Sequence, residues 1–297
     1  MSNLGLINTK GELMTRMDYY SVGTFSDGLA IAETVRGGTL GFVDTTGKMV
    51  ITLEKHVMPG SGFVNGLVVL RNEKTGHSAV INTSGDIVIP YGAFDALGYR
   101  VSEGLCPAAV GKTRWDRKWG FTNMKREFVI QPQYKWVDAM GFSEDRAAIG
   151  DGEDKNGFID SHNQAVIPQV YFYAKEFAEG LAGVRATREA LEGVIDTTGK
   201  QVIPPQFTSF SKFSEGLAVV SYDSTPTYGY INKDGHCVIK PTFNCAEDFA
   251  DGLAAVVAND RLGFINISGE FVIPPRFSKY GGGRRFHSGV CAVKFAD

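Results

Sequence analysis

Two arginine-bearing segments hold the residues best suited to recognise another molecule. Gly281-Gly282-Gly283-Arg284-Arg285 could hold an anion, because glycine amides form a cradle and each guanidinium offers a forked donor. No Lys-Ser or Lys-Thr follows, so it is not a P-loop. A flexible closure loop is the favoured reading of this segment. The second segment is Gly111-Lys112-Thr113-Arg114-Trp115-Asp116-Arg117-Lys118. An aromatic flanked by arginines has the composition of an interface anchor. Arg114, Trp115 and Arg117 are therefore candidate contacts to a protein, with a solvated hairpin tip as the competing reading. Trp119, just beyond, is expected to pack into its own sheet.

Residue types that could do catalysis or bind metal are present without the required spacing. The five histidines form no His-x-x-x-His pair, and the four cysteines form no Cys-x-x-Cys pair. His162 and His236 fall in or beside a recurring turn and are expected to be exposed. Cys106, Cys237, Cys245 and Cys291 read as small core residues. Asp27, Glu103, Glu144, Glu179, Glu215 and Asp251 recur at one place in a repeat. A carboxylate pair can do acid–base work, but an acid in nearly every unit fits that unit's own tight turn better. The Asp-x-x-Gly turns lack the alternating ligands of a calcium loop. No catalytic residue, metal or cofactor is assigned, and the chain is expected not to be an enzyme.

The elements that must position these residues come from one sentence written eight times. Its first clause starts at Gly5, Gly41, Ser78, Gly120, Gly157, Gly193, Gly229 and Gly263. A short apolar strand follows, then Asp or Asn, two residues and usually Gly. Asn163 takes the Gly place in one unit, and Arg126 breaks the rule in another. An Asx side chain can bond the backbone two residues on, and the last residue must be left-handed. Arg126 is therefore either strained or in a different turn. A β-branched strand follows each turn. Proline at Pro90, Pro132, Pro168, Pro204, Pro241 and Pro274 is expected to close it or mark an edge. The second clause starts at Phe25, Phe63, Val101, Phe142, Phe177, Phe213, Phe249 and Phe286, with Gly three residues on in all but one case, Asp145. Each unit thus has three clear strands and a fourth near the aromatic that follows the proline. No window holds a helical period.

Lys118-Trp119-Gly120-Phe121, Gln201-Val202-Ile203-Pro204-Pro205 and Phe213-Ser214-Glu215-Gly216-Leu217-Ala218-Val219 resemble the repeat of the bacterial WG-repeat (KWG-repeat) family. The resemblance spans essentially the whole chain, although only one unit keeps the Trp. It implies a β-rich repeat module and names no catalytic residue to carry over.

One unit cannot bury enough apolar surface to offset its own ordering, so units must stack and share cores. The ends decide how. Residues 1–24 supply a first clause without a second, and residues 286–297 a second clause without a first. Joined, they complete an eighth unit and cover both edges. The expected fold is all-β, a closed β-propeller of eight short blades forming one domain over 1–297. The alternative is an open solenoid-like stack of hairpins.

The 297 residues carry a net charge of −3, which argues against nucleic acid or an anionic membrane surface as a partner. No apolar run reaches membrane-spanning length, and the repeat begins too early to leave room for a signal peptide. A cytoplasmic location is expected. The charged, variable links between strands should emerge on one face. That favours a non-enzymatic scaffold holding a protein partner through those loops, with Arg284 and Arg285 as further candidate contacts. An inhibitor or immunity-type protein is one form this would take, by association with the family. Two alternatives stay open: a propeller binding a small ligand or glycan in its central channel, and an enzyme with a site assembled across blades.

Overall fold

The computed structural model describes residues 3–113, 115–152, 154–223 and 227–296. It is all-β, an eight-bladed β-propeller. Blade 1 joins 4–17 to 290–294. Blades 2 to 8 follow as 21–52, 57–89, 96–134, 136–171, 173–207, 209–243 and 245–278. Blade 1 has three strands and each other blade has four. The chain divides into two compact units. Residues 56–206 carry blades 3 to 6, and residues 1–55 with 207–297 carry the others.

Blade 8 shows how the sequence makes a blade. Its strands are Cys245–Ala246, Ala254–Ala258, Arg261–Ile265 and Phe271–Ser278, from the inner to the outer edge. The two middle strands are buried along most of their length, so they read as near-continuous apolar runs. The outer strand meets water on one side and alternates accordingly. Phe249, Phe264, Phe277 and Phe286 are all buried. The rings of Phe264 and Phe286 meet edge-on, with centroids 4.9 Å apart.

The glycine that opens seven of the eight first clauses is needed for close approach. In blade 8, Leu262 pairs with Phe277 but Phe264 pairs with Ile273, so the outer strand carries extra residues opposite Gly263. A Cβ on Gly263 would lie 2.8 Å from both the Ile273 oxygen and the Pro275 nitrogen. Blades 4, 5 and 7 show the same shift opposite Gly120, Gly157 and Gly229. In blade 3 the outer strand stops at Ile89, and there the slot holds Ser78. Most of the prolines accordingly mark an edge, as one of the two expected readings had it, rather than close the strand. Pro132, Pro168, Pro204, Pro241 and Pro274 lie within outer strands, on the edge where no ladder donor is required. Only Pro90 follows directly on a strand end.

The repeated turns follow the expected chemistry. Asp44 Oδ1 accepts from the backbone N–H of Thr46 and Lys48. Asn123 Oδ1 accepts in the same way from Lys125 and Glu127. The Asn123 turn is therefore like the others, and Arg126 is held left-handed at φ 68°. Asn163, in the same slot, has φ 63°.

The recurrent acid keeps its expected place in the unit's own turn and has a second role. It sits left-handed in its own turn, but its carboxylate reaches the next blade. Glu103 accepts from the Asp145 amide, and Glu144 from the Gly180 amide. Glu215 accepts from the Gly252 amide, and Asp251 from the Gly289 amide. The serine beside it acts likewise: Ser143 and Ser214 donate to the carbonyls of Phe177 and Phe249, each at 2.7 Å. The clause thus latches one blade to its neighbour.

The tail closes blade 1. Val290–Lys294 runs antiparallel to Leu4–Asn8, with Gly5 opposite Val293 and Ile7 opposite Cys291. Phe295 N–H donates to the Asn3 carbonyl, and its ring packs edge-on against Phe277 at 5.3 Å. This pairing excludes the open stack. Among the described residues no helix is long and apolar enough to cross a membrane.

Candidate interaction site

In every complete blade, the link between the second and third strands is a hairpin tip opposite the Asx turn. Blade 4 has the longest tip, residues 111–117 between Cys106–Val110 and Lys118–Thr122. Its base is tightly built. Gly111 has φ 129°, and a Cβ there would lie 2.7 Å from the Arg117 Cα. Only glycine fits that approach. Asp95 holds the base from outside, its Oδ2 accepting from the Gly111 N–H at 2.8 Å.

Inside the tip, Asp116 Oδ1 accepts from the Thr113 N–H at 2.6 Å and from its hydroxyl at 2.7 Å. These bonds favour the ionised form and hold the Asp116 carboxyl below the usual range. Arg117 donates from Nη2 to the Asp95 carbonyl and from Nε to the Gly111 carbonyl. The structure therefore places Arg117 as a brace of the tip. Trp115 projects from the braced tip and is 91% exposed. Lys112 and Lys118 flank it, also exposed. Arg114 lies outside the described residues. Trp119 is partly buried against the cluster of Phe121, Phe142 and Ile130, as expected.

The segment 281–285 is absorbed into the fold. A Cβ on Gly282 would lie 2.7 Å from the Ala292 oxygen, and one on Gly283 would lie 2.6 Å from the Gly23 oxygen. The glycines let a link pass close to the last strand, where blade 1 lacks its innermost strand. Arg284 pairs with Glu247 at 3.3 Å and donates to the Lys279 carbonyl at 2.6 Å. Arg285 donates to Ser214 Oγ and the Phe249 carbonyl. Both guanidiniums are engaged with links of neighbouring blades.

The other candidates are also structural. His162 and His236 are exposed residues of Asx turns, their amides bonded to Asp160 and Asn232. Cys106 and Cys291 are buried, and burial pushes the Cys106 thiol up to about 12. Cys237 is exposed and Cys245 half-buried, so the core reading fails for those two. Among the described residues, no group of three or more His, Cys, Asp or Glu could hold a metal ion.

One feature escaped sequence reasoning. Glu192, in the slot that Trp119 fills in blade 4, is only 4% exposed and accepts from Lys175 and Arg185, each at 2.7 Å. Nearby, Arg100 pairs with Glu176 at 2.6 Å, and burial holds the Asp138 carboxyl above its usual range. The available signal was an acid in a repeat slot usually apolar or aromatic. These charges largely neutralise one another.

No curated protein sequence matches the chain. Among solved structures, a puromycin hydrolase gives a TM-score of 0.52 at 12% identity, covering 92% of this chain and 56% of that one. Kluyveromyces lactis Hsv2p gives 0.49 at 11% identity, covering 84% and 92%. Virginiamycin B lyase from Staphylococcus aureus gives 0.42 at 11% identity, covering 99% of each chain. At such identities the likeness concerns the fold alone. The sequence profile of the WG containing repeat matches residues 5–34, 119–152, 157–186, 193–225, 228–261 and 263–297. Each matched repeat begins at the third strand of one blade and ends at or just past the second strand of the next, and with most of its length matched the chain belongs to the WG-repeat family.

Proposed function

We propose that this chain is a non-enzymatic scaffold that captures a protein partner on the hairpin tip of blade 4. The observation that carries this reading is Trp115, almost fully exposed on a tip held by Asp95, Asp116 and Arg117. A large apolar ring left in water is unusual on a surface, while its placement on a braced loop reduces the ordering cost of binding. Burying a ring of this size removes about 150–250 Å² from water, an effect large enough to dominate an interface.

The charge around it selects the partner. Lys112, Arg114 and Lys118 are cationic, and the one acid, Asp116, is engaged with Thr113. The complementary surface is an apolar socket with an acidic rim, which also speeds encounter at low salt. An inhibitor or immunity-type role is one form such capture would take.

The test is capture of interacting proteins from the native host, followed by titration of the purified partner. Trp115→Ala should weaken binding by about a hundredfold, with no change in thermal unfolding. Unchanged affinity in that variant would remove the tip as the site.

A further inference from the structure

At the other extreme of tip length, blade 8 turns between its middle strands with two residues, Asn259 and Asp260. Both are left-handed, at φ 49° and 63°, as a tight two-residue hairpin requires. A tip this short leaves the neighbouring surface uncovered. Between it and the link following Phe271–Ser278 lies an open cleft of about 600 Å³. Asn244, Asn259, Asp260, Lys279, Tyr280 and Arg284 line it.

The charges of this cleft are already matched. Lys279 pairs with Asp260, and Arg284 pairs with Glu247. An incoming anion would have to displace a carboxylate from one of these cations. The hydrogen-bonding groups still open are neutral. Among the described residues, the side-chain amides of Asn244 and Asn259 make no hydrogen bond within the protein. Each offers two donors and an acceptor. Tyr280 adds an aromatic ring and a phenol, 66% exposed. Its ring lies 5.1 Å from the Lys279 ammonium, which holds the two side chains together.

Planar amides paired with an exposed aromatic ring suit a ligand with adjacent hydroxyls on one edge and C–H groups on a face. Vicinal hydroxyls give and accept with the amides, and the C–H face packs on the ring. We infer that this cleft is a binding site for a neutral saccharide, separate from the protein-capturing tip of blade 4. The cleft is a few sugar rings in size, within the range of ordinary ligand pockets.

The experiment uses the full chain and a panel of neutral sugars: glucose, galactose, N-acetylglucosamine, maltotriose, cellotriose and chitotriose. Saturation-transfer NMR ranks them, and titration then gives dissociation constants. The expected result is saturable binding of at least one member. Tyr280→Ala and Asn244→Ala should each weaken it about tenfold or more, while Trp115→Ala leaves it unchanged. Asn259→Gly keeps the left-handed turn, removes one amide and should also weaken binding. Thermal unfolding of each variant shows that the fold is intact. The inference is overturned if no sugar saturates up to about 20 mM, weaker than any ordinary recognition site. It is equally overturned if binding survives Tyr280→Ala and Asn244→Ala, or if inorganic phosphate displaces the sugar.

Discussion

The hairpin tips of blades 4 and 8 occupy the same position in the repeat and have opposite shapes. In blade 4 the tip 111–117 rises and carries Trp115 into water. In blade 8 the tip 259–260 turns back at once and leaves a cleft beside it. The strands below are alike: Cys106–Val110 pairs with Lys118–Thr122 as Ala254–Ala258 pairs with Arg261–Ile265. Link length, set on a constant frame, is therefore enough to turn one slot into a knob or a hollow. Repeat folds commonly vary in this way, because insertions at a tip leave the ladder intact.

The comparison fails at its base if the two frames are not equivalent. Gly120 and Gly263 both lie beneath an outer strand that folds over them. Gly120→Val and Gly263→Val should each destabilise by about 3 kcal/mol, the upper range for forced overpacking. Chemical denaturation measures this. A loss in one blade and not the other would show that the frames differ. Ser78, in the same slot of blade 3, should tolerate substitution to Val far better, because the strand beside it ends at Ile89.

A transplant sharpens the point. Replacing 111–117 by Asn-Gly, the shortest hairpin link, should abolish partner capture and change stability by no more than about 1 kcal/mol. Unfolding of that variant would mean the long tip supports the blade rather than merely riding on it. The smallest effect concerns the turn at the opposite end of blade 4. Arg126→Gly relieves a left-handed residue with a side chain, at a cost in unfolded-state entropy. It should stabilise by roughly 0.5–1 kcal/mol and leave binding untouched. A lower melting temperature would indicate that the Arg126 side chain contributes more than its backbone strain costs.

The closing of the ring was legible because the two ends hold complementary halves of one unit. The strands and the Asx turns were legible because each depends on residues close in sequence. Trp115 was legible as a loop residue for the same reason. The latch made by Glu103, Glu144, Glu215 and Asp251 was not, because each partner amide lies one full repeat further on. Arg284 and Arg285 looked available for a ligand for a similar reason. Glu247 and Ser214, which engage them, lie 37 and 71 residues earlier in the chain. The outer-strand bulge was missed because Pro-Pro reads locally as a stop, although at an edge proline can continue a strand. The cleft left no motif at all, since it follows from how few residues separate Ala258 from Arg261.

The pairing of Leu4–Asn8 with Val290–Lys294 has a consequence for biogenesis. On the ribosome, the strand Leu4–Asn8 emerges before blades 2 to 8 and waits for a mate that is translated after them. Until then the nascent chain keeps a bare apolar ladder, a template for joining the wrong molecule. A chaperone that shields that early hairpin, or slow docking of the late strand, would then govern the yield of native protein more than the intrinsic stability of any blade.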